Sequence, residues 1–422
     1  MDKIVVRGGV PLRGEIAVSG SKNAALPLLF ASLLTEDECR LDQVPQLVDI
    51  RTALRLLHDL GVEYDWLSNS EVALNARAVR QLQAPYELVK TMRASFLVLG
   101  PLLARFGRAR VSTPGGCAIG ARPVNLHLEG LQQLGASIRL QQGYVEAEAK
   151  RLRGAHIALE FPSVGATENL MMAATLAEGT TTIENAACEP EVADLATMLN
   201  AMGARVSGAG SGTVTIEGVN ALQGVAHTVI PDRVEAGTFL IAGAITAGDV
   251  FVRGARADHL GAFLRKLQEA GVQLEEYKEG IHVTCEKRPA SMGIVTQPYP
   301  GFPTDLQAQM MALLSLSDGR SVITETIFEN RFLHAQELVR LGADIRVQGN
   351  SAVVSGVAFL SGAPVMATDL RASVSLILAG LAAQGVTEVS RVYHLDRGYE
   401  HIEEKLSRLG ADIVKSNRRL NH

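Results

Sequence analysis

The sequence predicts an α/β protein of two domains, built from six copies of a unit of about 70 residues. Two recurring phrases with one common period, and helices that are apolar on every side, lead to this prediction. The chain has 422 residues, which is enough for two or three domains with a core each. We therefore expect three units to pack around each of two cores.

The first phrase is an amphipathic helix that ends in glycine and is followed by an alternating strand. Glycine at this place is typical of a helix C-terminal cap with a left-handed backbone. The alternation of apolar and polar residues is typical of a half-buried strand. The copies, which lie 68 to 74 residues apart, are marked by Gly61, Gly135, Gly203, Gly271, Gly342 and Gly410.

The second phrase is an apolar helix, a break and a strand rich in β-branched residues. Because these helices offer no polar face, we expect them to be buried on all sides, with the sheets outside. A solenoid is the usual interpretation of repeats, but solenoid periods lie nearer 20–50 residues. The breaks of five copies contain Gly107, Gly179, Gly248, Gly319 and Gly385.

The domain boundaries are not marked by a linker rich in proline or serine. The best junctions between units lie near residues 229–231 and near residues 20–21. We therefore predict one domain at residues 21–229 and a second formed by residues 1–20 and 230–422. The active site is expected in the cleft between them.

Composition excludes several classes of protein. The chain is 47% hydrophobic and 20% charged, and its net charge of −5 argues against nucleic-acid binding. The longest nearly apolar stretches, 94–104 and 374–383, are half the length that crosses a bilayer. The four cysteines form neither CxxC nor a zinc-like spacing, which predicts reduced thiols, no metal and a cytoplasmic protein.

Residues in the loops between units are the candidates for chemistry. Lys22 at a helix start is either an anion-binding or a surface residue. Cys117, between two glycine-rich turns, is either a buried hydrophobe or an acid or nucleophile. Asp305 follows a proline turn and is either a helix cap or a functional carboxylate. Arginines at equivalent places of the repeat predict a basic cleft for a small, multiply anionic ligand: Arg93, Arg122, Arg331, Arg371 and Arg397.

Nine motifs in order carry a resemblance to a known family. They lie at residues 19–27, 89–95, 114–127, 163–181, 231–240, 302–309, 329–334, 367–373 and 396–400. Over essentially its whole length the chain resembles the UDP-N-acetylglucosamine 1-carboxyvinyltransferases, enolpyruvyl transferases that open peptidoglycan synthesis. The resemblance implies two inside-out α/β barrels, no cofactor, and a cytoplasmic enzyme of cell-wall biogenesis, on which cell shape and division depend.

The family moves the enolpyruvyl group of phosphoenolpyruvate to the 3′-hydroxyl of UDP-N-acetylglucosamine through a tetrahedral ketal and releases phosphate. The resemblance implies that Cys117 is the general acid, forms a covalent adduct with phosphoenolpyruvate and is the target of fosfomycin. Asp305 is implied as the base that faces the sugar hydroxyl. The phosphoenolpyruvate site is implied to contain Lys22, Asn23, Arg122, Arg331, Arg371 and Arg397.

The nucleotide-sugar site implied by the resemblance is larger. It contains Asn23, Arg93, Arg122, Pro123, Val124, Asn125, Leu126, Ser163, Val164, Gly165, Asp305 and Ile327. One departure concerns Asn125, where members commonly have aspartate, so that the role of this side chain is open.

Three alternative functions remain, and the sequence argues against each. The nearest is the sister transferase that acts on shikimate 3-phosphate, which shares the fold and the phosphoenolpyruvate chemistry but is not expected to have the loop with Cys117. A catalytically silent relative that only binds a nucleotide sugar is opposed by the intact Lys22, Cys117, Asp305 and Arg397. A nucleic-acid-binding repeat protein is opposed by the negative net charge.

Overall fold

The computed structural model describes residues 3–114 and 124–416, which form two compact units. The first unit contains residues 20–114 and 124–230, and the second contains residues 3–19 and 231–416. Each unit has one hydrophobic core of its own. The second unit therefore takes its residues from both ends of the chain.

The first unit has seven helices and twelve strands among its described residues. The helices are α1 Lys22–Ala31, α2 Val48–Leu60, α3 Tyr86–Val89, α4 Leu99–Phe106, α5 Asn125–Gln133, α6 Val164–Ala174 and α7 Pro190–Ala201. The strands are β3 Cys39–Asp42, β4 Glu63–Trp66, β5 Val72–Asn75, β6 Gln83–Ala84, β7 Arg108–Ser112, β8 Ser137–Gln141, β9 Tyr144–Glu148, β10 His156–Ala158, β11 Thr180–Glu184, β12 Arg205–Ser207, β13 Thr213–Glu217 and β14 Val225–Thr228. Short 3-10 helices lie at Ser32–Leu34 and Arg93–Val98.

The second unit has six helices and twelve strands in the part that the structure describes. The helices are α8 Arg233–Ile245, α9 Gly261–Glu269, α10 Gln307–Leu314, α11 Ala335–Arg340, α12 Leu370–Ala382 and α13 Ile402–Arg408. The strands are β1 Lys3–Arg7, β2 Arg13–Ala17, β15 Asp249–Arg253, β16 Gln273–Tyr277, β17 Gly280–Thr284, β18 Gly293–Val295, β19 Arg320–Thr324, β20 Asp344–Gln348, β21 Ser351–Ser355, β22 Pro364–Met366, β23 Val386–Ser390 and β24 Asp412–Ser416. Short 3-10 helices lie at Ala257–His259, Thr304–Leu306 and Val392–Arg397.

Six sheets of four strands repeat one pattern of pairing. In each sheet an edge strand pairs in parallel with its neighbour, and the next two pairings are antiparallel. The first unit has the orders β14-β3-β5-β4, β6-β7-β9-β8 and β10-β11-β13-β12, and the second has β2-β15-β17-β16, β18-β19-β21-β20 and β22-β23-β1-β24. The predicted α/β architecture of six repeated units is confirmed.

The helices of the second phrase lie in the interior, as their composition predicts. Helix α8 is buried from Val234 to Ile245, and α12 is buried from Arg371 to Leu381. Helices α8, α10 and α12 pack against one another in the second unit, and α4 packs on α6 in the first. Because these helices have apolar side chains all round, the sheets cover them and leave their own polar faces outside.

The segment that precedes the first unit is anchored in the second unit by a buried ion pair. Lys405 Nζ lies 2.6 Å from Glu235 Oε1, and the two side chains are only 14% and 2% exposed. The same ammonium group donates to Ser19 Oγ at 2.7 Å, and the Ser19 backbone N–H donates to Glu235 Oε2 at 2.6 Å. Ser19 also donates through its hydroxyl to Glu400 at 2.9 Å. The position of Ser19 is therefore fixed by several charged hydrogen bonds.

Within the described ranges, no helix is both long and apolar enough to cross a bilayer.

The six glycines predicted as helix caps all have positive φ. The values lie between +85° and +103° at Gly61, Gly135, Gly203, Gly271, Gly342 and Gly410. In the second phrase Gly248 is an exception, because its left-handed position is taken by Ala247 with φ +50°.

Two of these glycines provide a matched test of the cap. A Cβ at Gly61 would lie 2.7 Å from the Ala78 carbonyl oxygen, whereas a Cβ at Gly135 would meet no atom within 4 Å. We expect Gly135→Ala to lower the free energy of unfolding by about 1–2 kcal/mol through backbone strain alone. Gly61→Ala should lower it further, because the clash adds to the strain. Urea unfolding of both variants checks this, and equal losses would contradict the steric argument.

Candidate active site

Lys22 lies at the start of α1 and is held by a carboxylate. The Oγ of Ser21 caps the helix by accepting a hydrogen bond from the Ala24 backbone N–H at 3.3 Å. Lys22 Nζ lies 3.2 Å from Asp49 Oδ2, and the two side chains are 13% and 5% exposed. Asn23 follows in the same turn. The predicted anion-binding lysine is thus fixed at the N-terminus of a buried helix, where backbone N–H groups also favour an anion.

The residues that the resemblance assigns to the nucleotide sugar begin three helical elements of the first unit. Arg93 begins the 3-10 helix Arg93–Val98, and Val124 precedes α5. Ser163 caps α6, its Oγ accepting from the Ala166 backbone N–H at 3.3 Å. The remaining predicted residues in these first turns are Asn125, Leu126, Val164 and Gly165.

His127 connects these three elements. Its Nδ1 lies 3.0 Å from Nδ2 of Asn169 on α6, and its ring packs edge-on against Phe96 at 5.2 Å between centroids. A Cβ at Gly165 would lie 3.3 Å from the His127 ring. Burial and the nearby positive charge of Arg93 lower the pKa of His127 to about 3, so that the ring is neutral. We interpret this histidine as a packing and hydrogen-bonding residue.

The unusual Asn125 has a local partner. Its side chain is exposed, and Nδ2 lies 3.4 Å from Oε1 of Glu129, one turn along α5. An aspartate here would place two like charges at the i and i+4 positions of a helix, which is unfavourable. Asn125 therefore fits its own helix without a charge.

Three predicted site residues, Cys117, Arg122 and Pro123, lie outside the described residues.

In the second unit Asp305 lies between two arginines. It is part of the 3-10 helix Thr304–Leu306, directly before α10. Its Oδ1 accepts a hydrogen bond from Arg331 Nη2 at 2.5 Å, and its Oδ2 accepts one from Arg371 Nη2 at 3.0 Å. The arginine side chains are 5% and 10% exposed, whereas Asp305 is 30% exposed. Asp305 is therefore the accessible member of a largely buried charge triad.

The charges of this triad set the pKa of Asp305. Burial on its own would raise that pKa, but the positive charges of Arg371 and Arg331 outweigh it and hold the pKa well below its usual range. Burial would likewise lower the pKa of Arg371, but Asp305 raises it above its usual value. In this arrangement Asp305 is a stable carboxylate, and a weak base as long as both arginines hold it.

A buried polar network contacts the charge triad of Asp305, Arg331 and Arg371 on its interior side. The Thr238 hydroxyl donates to the Val234 carbonyl oxygen at 2.8 Å, so its oxygen is left to accept the hydroxyl proton of Tyr399 at 2.9 Å. The Tyr399 oxygen can then accept from Arg371 Nη1 at 3.4 Å and from Gln309 Nε2 at 3.3 Å. Gln309 also donates to the Asp305 carbonyl oxygen at 2.9 Å. The network therefore holds Arg371 and the backbone of Asp305 together.

The other predicted residues of this unit lie nearby in the chain. Ile327 follows β19, and its N–H donates to Oε1 of Glu325 at 2.8 Å. Arg397 ends the 3-10 helix Val392–Arg397, two residues before Tyr399. The structure thus brings together Asp305, Arg331 and Arg371 directly.

Sequence reasoning did not identify Tyr399, Thr238, Gln309 or Glu325 as supporting residues. The first three lie inside motifs that carry the resemblance, and Thr238 and Gln309 are polar residues in mainly apolar helices. This contrast could have indicated a buried polar network, because a polar side chain in a buried helix needs a hydrogen-bond partner.

A metal centre has no support in the described residues, where no group of three or more His, Cys, Asp and Glu side chains could hold a metal ion.

The triad predicts a specific dependence of stability on pH. Asp305→Asn would leave Arg331 and Arg371 facing each other without a counter-charge, and we expect a loss of about 1.5–3 kcal/mol near pH 7. Because the folded-state pKa of Asp305 lies below the unfolded value of about 3.9, its contribution is complete above that value and is lost as the pH falls through the folded-state pKa.

The difference in the free energy of unfolding between wild type and Asp305→Asn should therefore stay constant from about pH 6 to about pH 5 and shrink as the pH is lowered further to about 3. Thermal unfolding of both proteins over this pH range measures the difference. Asp412→Asn is the matched control, because Asp412 pairs with Arg7 at 3.1 Å on the exposed surface. A constant difference across the pH range would count against the charge triad.

Comparisons with known proteins place the chain in a family. The sequence profile of EPSP synthase (3-phosphoshikimate 1-carboxyvinyltransferase) matches residues 6–406. The chain is 58% identical over 415 residues to the UDP-N-acetylglucosamine 1-carboxyvinyltransferase of Geobacter metallireducens, covering 98% of this chain and 99% of that protein. It is 56% identical over 419 residues to the protein of the same name from Magnetococcus marinus, covering 99% and 100%.

Solved structures agree. The enolpyruvyl transferase NikO from Streptomyces tendae has a TM-score of 0.89 at 27% identity, covering 98% of this chain and 99% of that one. EPSP synthase from Acinetobacter baumannii has a TM-score of 0.80 at 18% identity, covering 99% and 100%, which supports the fold alone. The chain belongs to the EPSP synthase family and, within it, to the UDP-N-acetylglucosamine 1-carboxyvinyltransferases.

Proposed function

We infer that this protein transfers the enolpyruvyl group of phosphoenolpyruvate to the 3′-hydroxyl of UDP-N-acetylglucosamine and releases phosphate, the step that opens peptidoglycan synthesis. The observation that carries this function is the 58% identity over 98% of the chain to a relative of that name. The side chains of the site have the chemistry that the reaction needs. The substrates are anions. The first unit contains the largely buried Lys22, and the second contains two arginines beside one accessible carboxylate.

The cationic residues are proposed to bind phosphoenolpyruvate through its two anionic groups. Lys22, Arg122 and Arg397 would hold the phosphate, and Arg371 and Arg331 the carboxylate, which planar guanidinium groups bind bidentately. Asn23 would contact both substrates. The nucleotide sugar would be bound by Arg93, by the segments 122–126 and 163–165, and by Ile327.

Two groups are proposed to move protons. In the addition step Asp305 removes the proton of the sugar 3′-hydroxyl, and the sugar 3′-oxygen bonds to C2 of phosphoenolpyruvate. Cys117 protonates the methylene carbon in the same step. The resulting ketal then loses phosphate, which leaves with the C–O bonding electrons. One proton of the methyl group returns to the Cys117 thiolate as the double bond is restored, and the proton that Asp305 took leaves with the phosphate.

The charge triad gives a reason for Asp305 to become a better base only when the substrate is present. The carboxylate of phosphoenolpyruvate would compete with Asp305 for Arg331 and Arg371. Where the substrate takes these donors, Asp305 loses the positive charges that depress its pKa, and its basicity rises. The same arginines would thus bind one substrate and release the base toward the other.

The proposed location is the cytoplasm. Cys39, Cys188 and Cys285 are free thiols in the structure, and unpaired cysteines are typical of a reducing compartment.

A phosphate-release assay tests the function. The protein with phosphoenolpyruvate and UDP-N-acetylglucosamine should release phosphate, and fosfomycin should abolish the release. Shikimate 3-phosphate, the acceptor of the sister transferase, should give no release. Turnover only with shikimate 3-phosphate, or with neither acceptor, would overturn the proposal.

The role of Cys117 has its own prediction. Cys117→Ser should lower turnover strongly, because a hydroxyl is a far weaker acid than a thiol. Cys117→Asp keeps an acidic proton and should retain more activity, while losing the nucleophilic sulfur on which fosfomycin acts. Turnover and fosfomycin inactivation are measured on both variants. Wild-type rates in both would exclude the assignment.

A further inference from the structure

Glu325, directly after β19, is a buried carboxylate with four hydrogen-bond donors. It is 2% exposed. Its Oε1 accepts from Thr296 Oγ1 at 2.8 Å, from the Ile327 N–H at 2.8 Å and from the Phe328 N–H at 3.2 Å. Its Oε2 accepts from Thr304 Oγ1 at 2.8 Å. Within the described part of the chain, its hydrogen bonds thus come from hydroxyl and backbone N–H groups.

These donors come from three separate segments. Thr296 follows β18, Thr304 begins the 3-10 helix that contains Asp305, and Ile327 and Phe328 belong to the loop after β19. A single carboxylate therefore connects three loops at one end of the sheet β18-β19-β21-β20. Charge-assisted hydrogen bonds in a buried place are short and directional, and they fix the atoms that donate them.

Two of the connected segments carry residues of the proposed nucleotide-sugar site, namely Asp305 and Ile327. We propose that Glu325 is a positioning residue that sets the distance between the Asp305 carboxylate and the Ile327 loop through Thr304, so that both meet the acceptor sugar in one geometry. The inference rests on the proposed function. It assigns to Glu325 no contact with either substrate.

The network also defines which part of Ile327 can bind the sugar. Its backbone N–H is already donated to Glu325, so the carbonyl oxygen is the polar group that remains. A carbonyl oxygen accepts hydrogen bonds only, and its partner must be a hydroxyl or amide N–H of the acceptor. The loop is held further by Thr326, whose N–H donates to Thr296 Oγ1 at 2.9 Å.

The adjacent charge triad explains why Asp305 needs a second set of contacts to hold its position. Asp305 is held by Arg331 and Arg371, and the proposed substrate carboxylate competes for both. Once the substrate carboxylate has taken both arginines, two hydrogen bonds still fix the backbone of Asp305. Thr304 donates to Glu325, and Gln309 donates to the Asp305 carbonyl oxygen. A displacement of about 1 Å at a reacting group can lower a rate by a factor on the order of 100.

Thr304→Val tests the connection, because valine keeps the shape and removes only the hydroxyl. We expect kcat/KM for UDP-N-acetylglucosamine to fall at least about tenfold, with a lower kcat and a higher KM for the sugar, and KM for phosphoenolpyruvate to stay within about twofold. Thr304→Ser restores the donor and should recover most of the activity. Glu325→Gln keeps one oxygen and should be milder than Glu325→Ala.

Glu388→Gln is the matched control, since Glu388 is 44% exposed and contacts Lys3 on another sheet of the same unit. Thermal unfolding of each variant shows whether an effect is only a loss of fold. The positioning role would be overturned if Thr304→Val had the same kinetics as wild type. It would also be overturned if both KM values changed in parallel and Thr304→Ser recovered no activity. Failure of the proposed function is distinct, because the wild-type protein would then release no phosphate.

Discussion

The interior of each unit is filled by helices that have no polar face, and this constraint organises the rest of the molecule. Such helices must be covered on all sides, and three sheets per unit cover them. Several of the proposed site residues in the described parts of the chain lie in the first turns of these helices or just before them. Examples are Lys22 at the start of α1, Ser163 before α6, Asp305 before α10 and Arg371 in α12.

Charged side chains at these helix starts form ion pairs with residues that are far away in the sequence. Asp49 holds Lys22, and Asp305 holds Arg331 and Arg371, each in a largely buried setting. An unpaired charge at such a place is costly, so each cation needs a partner within the protein. Under the proposed function, the carboxylates of the protein hold these cations in the absence of substrate, and binding of an anionic substrate would be an exchange of partners.

The sequence made the repeat and its consequences predictable, because helix caps and apolar helices obey local rules. The six cap glycines and the buried helices α8 and α12 followed directly from composition and spacing. The pairing of Asp305 with two arginines could not be derived in this way, because the three residues come from three different segments of the chain. Glu325 and Tyr399 were missed for the same reason: their partners are set by packing, and only the polar character of Thr238 and Gln309 in mainly apolar helices hinted at a network.

The pairing of β1 has a consequence for how the chain must fold during synthesis. This strand lies between β23 and β24, and β2 pairs with β15, so both N-terminal strands find their partners in segments made much later. Residues 20–230 can complete their own sheets while the N-terminal strands still have no neighbours. Ile4 and Val6, which are fully buried in the folded protein, are then exposed on the nascent chain until β23 and β24 have been synthesised. A truncation that removes β24 would leave β1 as an open sheet edge, with the risk of aggregation that such edges carry.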